Sequence, residues 1–219
     1  VDEERVRGIE QLLQLKQKPE VILLDDAFQH RKVKPNFSIL LTTYNDLFIN
    51  DFILPTGNLR EPKNGAKRAN VIVVTKCALD TSEEDMKILS KKLKVSTHQQ
   101  VFFTSIRYPK QVYNLQQKTL PTASLNDFTL VTGIANPQPL LKHLDTLQLN
   151  YKHLNFPDHY NFKEKDISAL KKEKLIITTE KDFMRLKSSL KPEQLYFLPM
   201  EVIFLKDAQK FEEVILKVV

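Results

Sequence analysis

Glycine is scarce in this chain. Four occur in 219 residues, Gly8, Gly57, Gly65 and Gly133. None belongs to G-x-x-x-x-G-K-[ST] or G-x-G-x-x-G, so these residues write no glycine-rich phosphate cradle. Cysteine is scarcer still. A lone Cys77 excludes an internal disulfide framework, fits a reducing compartment, and rules out zinc-type Cys/His spacing. Apolar runs such as Val71-Ile72-Val73-Val74 are strand-length, far short of the roughly 20 residues of a membrane span. There is no secretory signal, no internal repeat, no low-complexity tract and no G-x-S-x-G elbow. The chain begins at Val1 rather than methionine, with a helix already under way. The expectation is a partial sequence, whose targeting or membrane segment would lie upstream.

What is present describes a soluble globular protein. Hydrophobic residues at 42% and charged residues at 27% are ordinary for a packed domain, and the length suits one large domain or two small ones. A net charge of +6 admits nucleic acid, anionic lipid or phosphorylated substrates without choosing among them. The lysines are scattered (Lys163, Lys165, Lys171, Lys172, Lys174, Lys181), which is the pattern of solvated helix faces.

Helix and strand patterns alternate along the chain. Residues 2–17 carry Val6, Ile9, Leu12, Leu13 and Leu15 at near-helical spacing, and Pro19 ends the segment. Residues 20–25, 37–42 and 70–75 read as strands, the first buried on both faces. A helix opens at Thr81-Ser82-Glu83-Glu84 and runs to about Lys94. Residues 101–120 are extended, with Pro109 inside, and read as a linker pairing as a two-stranded ribbon. A second alternation follows: strands at 128–132, 151–156, 175–178 and 201–205, and helices from Asn136-Pro137, at 164–172, from Thr179 and at 207–217. Continuous apolar strands alternating with helices predict mainly parallel sheets covered on both faces. The expected architecture is two three-layer α/β units: residues 1–100, incomplete at the N-terminal side, then a β linker at 101–124, then residues 125–219.

In an open parallel sheet, ligands gather beyond the carboxyl ends of the strands. Asp25 and Asp26 follow the apolar run Val21-Ile22-Leu23-Leu24. Adjacent carboxylates repel and are costly to bury unpaired. A divalent cation would compensate them, as at the strand end of a Walker B element. Capping of the next turn is the competing reading. Gln29 and His30 lie within reach of the same ion or phosphate. In LPTGNLREP, residues 54–62, Pro55 and Gly57 shape a turn. Arg60 can grip a phosphate, while Glu61 can accept from a sugar hydroxyl or hold Arg60; an exposed surface pair is the bland alternative. In FPDHY, residues 156–160, His159 beside Asp158 can take a proton or orient a base, and a structural role fits equally. In TTEKD, residues 178–182, Thr179 and Asp182 read as a helix cap.

The order DDAFQH, LPTGNLREP, GIANP, DHY, TTEKD resembles the tetraacyldisaccharide 4′-kinase family of Gram-negative bacteria, across nearly the whole chain. The resemblance implies a P-loop kinase fold with a β linker at the cytoplasmic face of the inner membrane. It implies transfer of the ATP γ-phosphate to the 4′-hydroxyl of an acylated disaccharide in lipid A synthesis, with Mg²⁺. By resemblance, Asp25 and Asp26 look like the Walker B pair, with Gln29 beside the metal and His30 in the same loop. Arg60, Glu61 and Gly57 look like the lining of the glycolipid cleft. His159 looks like the partner of an aspartate base, and Arg5 matches an arginine near the substrate. Ala27 stands where the family usually has glycine, and Thr56 and Asn58 replace Ala and Pro, which touches substrate contacts more than the reaction. The family's P-loop and catalytic aspartate precede Val1, so residues 1–219 are expected to be the inactive C-terminal two-thirds of a monomeric kinase. The partners implied are ATP, the glycolipid and the membrane surface, not nucleic acid.

Two rival readings stand beside it. A metal-dependent phosphohydrolase would gather Asp25, Asp26, His30 and His159 around one ion. A basic nucleic-acid-binding module would show steep salt dependence, yet the chain has no interleaving of aromatic and basic residues.

Overall fold

The computed structural model describes residues 4–219. Asp2 and Glu3, the start of the expected first helix, lie outside them. The fold is mixed α/β with mainly parallel sheets, and the chain divides into two compact units. One comprises residues up to Ile106 together with Val202–Val219, and the other Arg107–Glu201.

The first unit opens with α1 (Arg5–Leu13) and continues through β1 (Ile39–Thr43), β2 (Val71–Cys77), α2 (Glu83–Leu93) and β3 (Gln100–Arg107). These strands pair in parallel, Ile39 beside Val71 and Val71 beside Gln100. The sheet serves two cores because alternate strand residues point to opposite faces. Ile72 and Val74 pack with Met86 and Leu93 of α2, while Val71, Val73 and Phe102 pack on the other face. Ser82 caps α2 as expected: its hydroxyl accepts from the Asp85 amide at 3.1 Å, and Asp85 answers to Ser82.

The second unit begins with the ribbon β4 (Gln111–Tyr113) and β5 (Thr119–Pro121). It continues with β6 (Phe128–Thr132), α3 (Gln138–Thr146), β7 (Tyr151–Asn155), α4 (Glu164–Leu170), β8 (Ile176–Thr178), α5 (Glu180–Leu186) and β9 (Leu195–Phe197). The sheet order is β5-β4-β9-β8-β6-β7, parallel from β9 to β7. Leu130 and Ile177 face α3 through Leu140 and Leu144. Val131 and Ile176 face α4 and α5 through Leu170, Phe183 and Leu186.

Four expectations are corrected. Residues 20–25 form no strand, and Leu23 is 90% exposed. A strand buried on both faces needs a ladder beside it, and the sheet ends at β1. Residues 100–107 belong to the first sheet rather than to a linker, and the ribbon that follows joins the second sheet through β9. β9 itself was not expected; at three residues it is too short to carry a period. The last strand, β10 (Glu201–Phe204), and helix α6 (Ala208–Leu216) do not complete the second unit. β10 adds to β3, and Phe211 and Val214 of α6 cover Val71, Val73 and Phe102.

Candidate functional site

In the first unit, the acidic pair sits in a turn after the extended run 21–24. Asp25 and Asp26 are exposed, and Asp26 has φ 45°. Neither carboxylate has a hydrogen-bond or ion-pair partner among the described residues, so neither caps a turn. The Asp26 carbonyl accepts from Arg5 Nη2 at 3.3 Å, which brings α1 onto this loop. The His30 amide closes a turn on the Ala27 carbonyl at 2.9 Å. His30 Nδ1 is buried without a hydrogen-bond partner, while Gln29 is exposed.

The donor set fits a hard cation that keeps several of its own ligands: two free, adjacent carboxylates with an exposed amide nearby. Among the described residues, no group of three or more His, Cys, Asp or Glu side chains is arranged to hold a metal. The phosphohydrolase reading therefore lacks its ligand cluster.

Residues 51–62 form a built loop. Asp51 accepts from the amides of Phe52 at 2.7 Å and Asn58 at 3.1 Å, and the Phe52 amide bond leads in holding its carboxyl below the usual range. Gly57 crosses so closely that a Cβ there would lie 2.2 Å from Asp51 Oδ1 and 2.4 Å from the Phe52 carbonyl. Only glycine fits this crossing. Arg60 is exposed with no protein partner among the described residues, which leaves its guanidinium open to an anion.

Glu61 does not hold Arg60. It accepts two parallel bonds from Arg68, at 2.9 and 2.8 Å, and a longer one from Arg31 at 3.4 Å. The Arg68 bonds lead in holding its carboxyl below the usual range. Arg68 lies in a 3-10 helix, Lys63–Arg68. It was not legible in the sequence, because nothing local distinguishes it from the other basic residues.

In the second unit, β7 leads into the Asp158-His159 loop, where His159 has φ 58°. The imidazole is mostly exposed and lies between two cations of α5: Lys181 Nζ at 3.3 Å from Nε2, and Arg185 Nη2 at 3.5 Å from Nδ1. Lys181 also bonds Asp158 at 2.9 Å, the largest cause of that carboxyl's lowered pKa. Thr179 caps α5 as expected, accepting from the Asp182 amide at 3.2 Å. Asp182 does more than cap. Fully buried, it accepts from the Gly133 amide at 2.7 Å, the Thr179 hydroxyl at 2.8 Å and Arg185 at 3.2 Å. The GIANP and TTEKD motifs are thus joined through one carboxylate, which in turn anchors the arginine beside His159.

Comparison with known proteins bears on all of this. The family model for tetraacyldisaccharide-1-P 4′-kinase matches residues 1–219. A tetraacyldisaccharide 4′-kinase of Flavobacterium johnsoniae is 47% identical over 99% of this chain and 64% of its own length. That of Flavobacterium psychrophilum is 49% identical over 98% and 64%, and that of Bacteroides thetaiotaomicron 43% identical over 97% and 63%. The crystal structure of LpxK from Aquifex aeolicus in complex with ATP superposes with a TM-score of 0.69 at 26% identity. It covers 98% of this chain and 62% of that one. The chain therefore spans a little under two thirds of the relatives it matches. With the matching family model covering every residue, it belongs to the tetraacyldisaccharide-1-P 4′-kinase family.

Proposed function

We propose that this chain is the larger part of a kinase that transfers the ATP γ-phosphate to the 4′-hydroxyl of a tetraacyldisaccharide 1-phosphate. Its first unit is then part of a P-loop kinase domain, and Asp25 and Asp26 are the residues that would hold Mg²⁺ with Gln29 beside them. When bound, that ion neutralises charge on the phosphates during transfer. The observation that carries the reading is the pair of exposed, unpartnered carboxylates in a loop tied down by Arg5, within a family of kinases.

The chain's own residues divide the remaining work. Arg60, free of protein partners among the described residues, pairs with an anionic group of the substrate. On the same reading Arg5, His30 and the turn at Gly57 also meet the glycolipid. His159 assists the base that takes the hydroxyl proton, with Lys181 and Arg185 fixing its ring. The substrate carries acyl chains, so it is met at the cytoplasmic face of the inner membrane, where a chain of net charge +6 suits anionic headgroups. Among the described residues no helix is long and apolar enough to cross a membrane, so on this reading the contact made by these residues is peripheral. The working species is a monomer.

Residues 1–219 contain no glycine-rich cradle for phosphates, and on this reading the cradle belongs to the third of the relatives that this chain does not span. Two assays test it. Full-length protein should phosphorylate the disaccharide with ATP and Mg²⁺, and residues 1–219 by themselves should not. Turnover by the isolated chain would refute the division of labour, and no turnover by full-length protein would refute the function.

A further inference from the structure

Arg68 joins two loops that are separate in sequence, the one holding Phe28 and the one holding Glu61, and no motif contains it. Its guanidinium makes the bidentate pair with Glu61 and donates to the Phe28 carbonyl at 3.1 Å. It also lies over the Phe28 ring, 4.7 Å from the centroid. Phe28 belongs to the acidic loop and packs on the core of the first unit, while Glu61 adjoins Arg60. The Arg60 loop is fixed internally by Asp51 and the Ile53–Leu59 bridge, whereas the acidic loop has no regular structure of its own. The acidic loop lies outside the sheet altogether.

An isolated surface ion pair contributes little, but this one differs in three respects. It is a parallel two-bond fork. Its carboxylate is only 19% exposed. The same guanidinium also binds a carbonyl and stacks on a ring, which lysine cannot reproduce. Room has been left for it as well: a Cβ on Gly65 would lie 2.6 Å from Glu61 Oε2 and 2.9 Å from Arg68 Nη1.

We propose that Arg68 is a positioning residue of the phosphotransfer site, gripping Glu61 and Phe28 together so that the acidic loop is held against the Arg60 loop. Glu61 then serves the grip and does not meet the sugar. For its meaning in turnover this rests on the kinase reading above, so the test has one arm without turnover.

In the 219-residue chain, hydrogen exchange is compared for wild type, Arg68→Gln, Arg68→Lys and Glu61→Gln. All three variants should speed exchange of the His30 amide tenfold or more, and leave the β6 and β8 amides of the second unit unchanged. In the full-length enzyme, Arg68→Gln and Glu61→Gln should each raise the Mg²⁺ concentration for half-maximal rate about tenfold, as loss of a ligand-orienting partner does. The KM for the disaccharide should stay within twofold, and the double variant should be no worse than either single one. Unchanged His30 exchange in all variants would overturn the grip. A disaccharide KM raised by Glu61→Gln, multiplying with Arg68→Gln, would overturn it in favour of Glu61 as a sugar contact. A wild-type enzyme that does not phosphorylate the disaccharide would sink the kinase reading alone, and the exchange arm would still decide the grip.

Discussion

Two neighbouring anions in solvent repel each other weakly, but a loop that leaves both without a counter-charge has spent its cations elsewhere. Arg5 goes to a carbonyl, and Arg31 and Arg68 to Glu61. In the full-length enzyme Asp25→Ala should therefore lower kcat by at least about a hundredfold, as loss of an electrostatic group at a transferring phosphate does. Lys171→Ala, on a solvated surface, should stay within twofold of wild type. Steady-state rates at saturating ATP check both. A second residue-scale prediction concerns His143, half-buried and stacked on Tyr108 at 4.8 Å, with Nε2 buried and unpartnered. Burial lowers its pKa from 6.5. The unfolded chain thus binds this proton more readily than the folded one, and stability rises with pH across that window. It is complete above 6.5 and falls as pH drops through 6.5 toward the lowered folded value. His143→Phe should flatten the loss between pH 7.5 and 5.5, read from urea midpoints. His153, lowered by burial in the same direction, contributes slope of the same sign. The Asp158 carboxyl, lowered from 3.8 chiefly by its bond from Lys181, titrates below this window.

Elements were legible where a local signal and a tertiary partner agree. Phe128–Thr132 is aromatic, aliphatic and β-branched and is buried throughout, and Ser82 caps where its sequence context says it should. Val21-Ile22-Leu23-Leu24 has the same composition as a buried strand yet pairs with no strand among the described residues; apolar content announces a wish to be covered, not the neighbour that covers. The motifs behaved likewise. Asp25, Asp26 and Arg60 stood out because the chemistry proposed for them lies in their own side chains, and the structure leaves all three exposed. Glu61 was misread although Arg68 lies nearby in sequence, because nothing local sets that arginine apart from the other basic residues, and Asp182 was under-read because Gly133 sits far along the chain. Asp182 shows the cost of such links. Asp182→Ala would leave the Gly133 amide without its acceptor and Arg185 without its anchor, and removing one member of a buried charged network costs about 3–5 kcal/mol. Urea denaturation of the 219-residue chain, followed by a second-unit probe such as β8 amide exchange, should show a loss of that order. Asp182→Asn, which keeps one acceptor, should recover part of it.

Taken as a whole, the molecule is not two consecutive segments. The second unit is continuous in sequence, but the first is closed by the chain's last residues. Phe102 packs edge-on against Phe211 at 5.1 Å and Phe204 at 6.2 Å, and Val71 and Val73 lie beneath them, 0% and 5% exposed. No run of residues before position 200 signals that this sheet face waits for a C-terminal cover, which is why a simple division near residue 124 looked sufficient. Ending the chain after Met200 would strip that face. Each large apolar side chain returned to water costs roughly 1.5–3 kcal/mol, and three lie fully or almost fully buried there, so the loss rivals the 5–15 kcal/mol that holds a typical domain. The second unit keeps both of its own cores, around Leu130 and around Val131. In the truncated chain the β2 and β3 amides should lose exchange protection and the Lys87–Lys94 region should become open to trypsin, while β6 and β8 remain protected. Equal loss of protection in β6 and β8 would mean that the second unit draws its stability from the first.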